Sequence, residues 1–143
     1  MKKIFFKLII EDGYPPASEE SIWGIELADN LFKIDNIPFY TDDVSYEDTV
    51  SVKEENGHLY YKKTVQSSGN STIRIIFFDE EKVDECLARL EQIGCEYERF
   101  SSVFIAINIP ITLNIETVLT YLQYLSAQET ADYEYGKIAQ YAY

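Results

Sequence analysis

Thr72-Ile73-Arg74-Ile75-Ile76-Phe77-Phe78, followed by Asp79-Glu80-Glu81-Lys82-Val83-Asp84-Glu85-Cys86-Leu87, is the stretch whose reading decides the fold. The first seven residues, rich in β-branched and aromatic side chains, read as a strand. Val83, Cys86, Leu87, Leu90 and Ile93 then fall on one stripe of a 3.6-residue helix. Asp79 suits the N-cap, Glu80 and Glu81 the positive dipole end, and Gly94 a left-handed stop. Downstream, Cys95–Phe100 and Val103–Ile109 read as a hairpin, and Pro110 ends its second strand. Ile115, Val118, Leu119, Leu122 and Leu125 form a second helical stripe behind an Asn114 cap, and Ala131–Tyr135 a last strand. Strand, helix, strand, strand, helix, strand is the split βαβ order, with both helices on one side of an antiparallel sheet.

Upstream, the pattern is all β. Ile4–Ile10 is an apolar strand, broken by Glu11-Asp12-Gly13-Tyr14-Pro15-Pro16. Ser21–Ala28 and Leu31–Asp35 flank Asp29-Asn30, two residues that tolerate positive φ. Asn36–Tyr40 leaves that hairpin as an extended segment and an acidic loop, Thr41–Asp48, follows. Thr49–Lys53 and Leu59–Val65 surround Asn56-Gly57, a strong hairpin signal. The expected class is α+β: a small, barrel-like antiparallel β domain over residues 1–70, packed on a C-terminal ferredoxin-like βαββαβ sandwich over residues 71–143. The loop Ser67–Asn70 is the one internal boundary, and Val65 and Ile73 are close enough for the halves to act as one cooperative unit.

Charge narrows the partners. Twelve basic against twenty-five acidic residues give −13, which repels a phosphate backbone and favours a basic protein partner. Nucleic acid and membrane are not expected partners. No run approaches a membrane helix, and Met1–Phe6 lacks the features of a signal peptide, so the expected compartment is the cytoplasm. Cys86 and Cys95 suit free thiols in that compartment and are too few for a zinc site.

Catalytic chemistry finds little support. His58 is the single histidine and lies one residue past a hairpin turn, where an exposed cross-strand role fits best. Nucleophile systems of the Ser-His or Cys-His kind would depend on that ring. No phosphate-loop, dinucleotide, zinc-protease or EF-hand spacing occurs, and no cofactor or metal is expected. The aromatic side chains are more informative, because several of the twelve tyrosines stand beside acids. Tyr40 with Asp42 and Asp43, Tyr46 with Glu47 and Asp48, Tyr97 between Glu96 and Glu98, and Tyr133 and Tyr135 with Asp132 and Glu134 are the expected partner-binding groups. Tyr supplies large contact area with a polar tip, and acids suit the rim of an interface with a basic partner. Half-buried tyrosines on a pleated sheet are the competing reading.

Tyr14-Pro15-Pro16, Glu20-Ser21-Ile22-Trp23, Ile34-Asp35-Asn36-Ile37-Pro38-Phe39, Val44-Ser45-Tyr46-Glu47-Asp48 and Ser68-Gly69-Asn70-Ser71-Thr72-Ile73-Arg74 together resemble the bacterial domain-of-unknown-function family 4265. The family pattern tends to have Gly where Glu47 stands and His where Asn70 stands. Any chemical role of that histidine in relatives would be lost here. The resemblance implies a small bacterial cytosolic protein, sometimes linked with toxin and immunity gene sets, and no established activity. The leading expectation is therefore a non-enzymatic immunity protein covering the active site of a cognate basic, nuclease-type toxin. The alternative is a small-molecule-sensing module with a pocket between the halves, lined by Trp23, Phe39 and Arg74. An enzyme built on a carboxylate pair comes third.

Overall fold

The computed structural model describes residues 1–140. Five strands come first: β1 (Lys2–Lys7), β2 (Glu19–Ala28), β3 (Leu31–Ile34), β4 (Thr49–Glu55) and β5 (His58–Gln66). They form a closed barrel in the order β1-β2-β3-β4-β5. Asn30, at φ 59°, turns the chain between β2 and β3; Asn56 and Gly57, at φ 52° and 81°, turn it between β4 and β5. Both turns use the positive-φ tolerance of these residues. Closure comes from β1 pairing parallel to β5, with Ile4 opposite Leu59 and Phe5 opposite Tyr60. The expectation of a purely antiparallel first half is corrected at that seam. Local hairpin signals report only sequential pairings, and this one joins distant strands.

The barrel interior is filled by Ile4, Phe6, Ile22, Phe32, Ile34, Val44, Val50 and Val52. It is narrow enough that a Cβ on Gly24 of β2 would meet Ile4 Cδ1 at 2.6 Å and Phe32 Cβ at 3.3 Å, so a larger residue there would make those core side chains shift.

The second half runs β6 (Ser71–Phe77), a 3-10 turn (Glu80–Lys82), α1 (Val83–Ile93), β7 (Glu96–Arg99), β8 (Phe104–Ile109), α2 (Ile115–Ala127) and β9 (Ala131–Tyr135). Its strands form an antiparallel sheet in the order β7-β8-β6-β9. Asp79 accepts from the Glu81 N–H at 3.1 Å, Asn114 from the Glu116 N–H at 3.0 Å, and Gly94 leaves α1 at φ 122°. Ile73, Ile75 and Phe77 of β6 and Ile105, Ile107 and Ile109 of β8 pack against the buried stripes of both helices. Cys86 and Cys95 are free and buried there, and burial pushes the Cys95 thiol up to about 12.

The expected α+β ferredoxin-like sandwich is overturned as the class of this protein. The molecule is mostly β, 43% strand against 19% helix, with two sheets and only two helices. The physical reason lies in the first sixty-six residues, which place all their regular structure in strands and close them on themselves. The barrel therefore weighs as much in the architecture as the helix-bearing half.

The connection between β3 and β4 helps to join the two. The segment between β3 and β4 leaves the barrel and lies on the helix-free face of the sheet. Glu20 of β2 holds it from the barrel side, accepting the N–H groups of Phe39 (2.7 Å), Tyr40 (3.1 Å) and Thr41 (2.8 Å). Glu98 of β7 holds it from the sheet side, accepting from Asn36 Nδ2 at 3.1 Å and from the Ile37 N–H.

Candidate binding groove

β6 carries apolar side chains on both faces, and only one face meets the helices. Ile73, Ile75 and Phe77 point into the helix-side core, so Thr72, Arg74, Ile76 and Phe78 point the other way. The segment from the barrel covers Arg74 and stops there. Ile76 and Phe78 stay 43% and 64% exposed, an unusual state for two large apolar groups side by side.

They form part of the lining of a groove of about 460 Å³, with Phe104 of β8, Tyr14 and Tyr40 from the barrel loops, and Asp132 and Glu134 of β9. Tyr14 is brought in by a tight turn at Asp12 and Gly13, φ 53° and 76°, closed by two Glu11–Tyr14 backbone bonds of 2.9 and 3.0 Å. Its ring meets Tyr40 edge-on at 6.0 Å, and Tyr40 in turn meets Phe100 and Phe104 at 5.8 Å each. Beyond the two tyrosines the groove continues into smaller hollows beside Ile9, Pro15, Asp42 and Asp43.

Arg74 lies under this groove and is only 3% exposed. Its Nη1 is 2.8 Å from Asp42 Oδ1 and 3.8 Å from Glu134 Oε1. Nε donates to the Pro38 carbonyl at 3.4 Å and Nη2 to the Thr41 carbonyl. With its fork engaged by the protein itself, Arg74 is a fastener of the covering segment and has little capacity left for an anionic ligand. Tyr14 donates its hydroxyl to Glu134 at 3.2 Å. Burial first, and then the Glu134 charge, push the Tyr14 phenol up to about 12. Tyr40 is raised in the same direction, by burial and then by Glu20.

The acid-and-tyrosine groups named from the sequence separate into three sets. Tyr40, Asp42, Asp132, Tyr133 and Glu134 border the groove or its extension, with Asp43 at the far end. Tyr133 also packs against the helix-side core, as does Tyr97, and Tyr135 meets Tyr133 at 6.1 Å and lines the hollow beyond the groove. The others hold the fold together. Asp48 is wholly buried and accepts from the Ser45 N–H (2.9 Å), the Ser68 N–H (2.7 Å) and Lys137 Nζ (2.7 Å). Glu96 accepts from Asn108 at 3.2 Å, Glu98 anchors the covering segment, and the Tyr46 carbonyl receives Ser68 and Asn70.

Glu47 and Asn70, the two departures from the family pattern, have plain structural readings. Glu47 sits in the left-handed region at φ 69°, as the third residue of a turn closed by Asp48 N–H to Ser45 O at 3.2 Å. Glycine is the residue such a turn prefers. Asn70 is a two-way clasp: Nδ2 donates to the Tyr46 carbonyl at 3.0 Å and Oδ1 accepts the Ile111 N–H at 3.0 Å. A neutral imidazole, with one donor and one acceptor nitrogen, can fill the same role.

Tyr14, Ile76, Phe78 and Phe104 escaped sequence reasoning as groove residues. Their signal was present in β6, where a strand backed by helices on one side only carries apolar residues on both. Trp23 and Phe39, named with Arg74 for a pocket between the halves, do not line the groove. Trp23 stands on the barrel exterior with Lys3 Nζ 5.3 Å from its ring, and Phe39 packs behind the groove against Phe100 and Phe104. His58 meets Phe5 edge-on at 5.0 Å on the barrel and is not among the groove residues. Among the described residues no group of three or more His, Cys, Asp and Glu is arranged to hold a metal ion, and no helix is long and apolar enough to cross a membrane.

Comparison with known proteins places this architecture. A crystal structure of a hypothetical protein from Neisseria gonorrhoeae superposes with a TM-score of 0.82 over 99% of each chain, at 20% identity. At that identity the likeness concerns the fold alone. No curated protein matches the chain. The family described as a domain of unknown function (DUF4265) matches residues 20–133, and the chain belongs to that family, the one its motifs between Tyr14 and Arg74 resemble.

Proposed function

We propose that the protein is a non-catalytic binding protein that engages a basic protein partner through this groove, acting in the cytoplasm as an immunity protein that covers a toxin's active site. The observation that carries the reading is the pairing of exposed apolar groups, Ile76 and Phe78, with the carboxylates Asp132 and Glu134 along one side of the same groove. An apolar floor supplies burial, and an acidic margin steers and orients a basic partner. A small-molecule sensor is the weaker reading, because Arg74, the one cation in the groove lining among the described residues, is already held by Asp42 and two carbonyls.

The test is co-expression with the product of the adjacent upstream gene, followed by affinity capture and a growth assay, for the native protein and for Phe78→Ser. The reading expects capture of a stable complex, rescue of growth, and loss of both in the variant. Absence of capture and rescue, or a complex indifferent to Phe78→Ser, overturns it.

A further inference from the structure

Resting on that reading of the groove, we infer that the partner segment is recognised through one arginine, its guanidinium set between the Tyr14 and Tyr40 rings and the Glu134 and Asp132 carboxylates, with an adjacent apolar side chain on Ile76 and Phe78. Three observations converge on this chemistry. The first is charge. Arg74 is set against four carboxylates around the groove and its adjoining hollow, Glu11, Asp42, Asp132 and Glu134, so the site has room for a further cation.

The second is the use of acceptors. Asp42 Oδ1 is taken by Arg74 at 2.8 Å. Glu134 Oε1 receives the Tyr14 hydroxyl at 3.2 Å, and Arg74 at 3.8 Å is too far to hydrogen-bond it. Oε2 of Glu134 and Oδ2 of Asp132 receive nothing among the described residues. Glu134 is joined to Tyr14 and Asp132 lines the same groove, and a planar cation can stack on an aromatic ring while forking onto a carboxylate. An ammonium offers no such plane, which selects arginine over lysine.

The third is the sheet edge. Asp132 Oδ1 accepts the Tyr133 N–H at 2.9 Å. By the alternation of the ladder with β6, set by Phe78 N–H to Thr130 O and Gly136 N–H to Thr72 O, that N–H lies on the free side of β9. Its engagement opposes addition of a partner strand there. The segment therefore lies across the face, where its side chains meet the groove.

The experiment uses three peptides, acetyl-Gly-Leu-Arg-Leu-Gly-amide and its twins with citrulline or lysine in place of arginine, titrated into the full-length 15N-labelled chain. Citrulline keeps the shape and removes the charge. The inference expects the arginine peptide to shift the amides of residues 76–78 and 132–134. It also expects the citrulline peptide to bind about tenfold more weakly, the combined effect of one cation–π contact and one exposed ion pair. Glu134→Gln, which still accepts from Tyr14, should narrow that difference, and lysine should fall between. Equal binding of all three at the groove overturns the arginine assignment and leaves the groove standing. Shifts elsewhere, or none up to several millimolar, overturn both.

Discussion

Replacing Asp48 by Asn tests the assignment of this carboxylate to the fold instead of to a partner surface. The two side chains have the same shape, so the effect isolates charge and acceptor capacity. In the native protein Oδ2 serves the Ser45 N–H at 2.9 Å and Lys137 at 2.7 Å, while Oδ1 serves the Ser68 N–H at 2.7 Å. The Asn oxygen can keep the first two. Its amide then faces the Ser68 N–H donor to donor, and leaving that group unpaired costs about 1–3 kcal/mol. Loss of the negative charge weakens the Lys137 bond by about a further 1 kcal/mol. Lys137 is 22% exposed and can turn toward water, which keeps the total below the upper end of the roughly 3–5 kcal/mol for breaking a fully buried pair. The expected loss is about 3 kcal/mol, a fall in Tm of about 10 °C. Urea unfolding followed by Trp23 fluorescence and by circular dichroism should show a lower midpoint at an unchanged m value. Lys137→Met should be similarly damaging and the double variant less than additive. A loss under about 1 kcal/mol in Asp48→Asn would refute the accounting.

Three further outcomes follow from single positions. Glu47→Gly relieves a left-handed residue worth about 1–2 kcal/mol and gives back about 0.5–1 kcal/mol in chain entropy, so the urea midpoint should rise slightly. Asn70→Ala should cost about 2 kcal/mol in the same assay, and Asn70→His distinctly less, because the imidazole can hold both Tyr46 and Ile111. Tyr14 is raised from about 10 to about 12, so the fold favours its neutral form; its contribution is complete below pH 10 and is lost as pH climbs through 12. Difference absorbance at 295 nm between the native protein and Tyr14→Phe should show that tyrosine ionising late.

The elements were legible wherever local chemistry dictates them. Asp79, Asn114 and Gly94 delimit the helices by capping and left-handed geometry, and Asn56-Gly57 makes its turn whatever surrounds it. The class was misread because barrel closure depends on β1 meeting β5, and no periodicity within either strand announces its partner. The candidate site was half legible for the same reason. Asp132 and Glu134 were visible as acids beside tyrosines, and Asp42 as part of an acidic loop. That Asp48 and Glu98 look inward is a matter of tertiary contact: a carboxylate three residues from a Ser N–H reads the same whether it is solvated or buried. Ile76 and Phe78 read simply as part of a strand, and only the end point of the covering segment leaves them bare.

The Asp48–Lys137 contact spans 89 residues. During synthesis the barrel strands emerge first, and the carboxylate that will be sealed among them is made long before its counter-ion. Backbone N–H groups of Ser45 and Ser68 can serve that carboxylate as soon as the turn forms, but the charge that balances it arrives only with Lys137. The nascent barrel should therefore be looser at the side where the sheet docks, and tighten once the chain has delivered β9 and the residues just after it. Order of manufacture and order of consolidation are coupled through a single carboxylate.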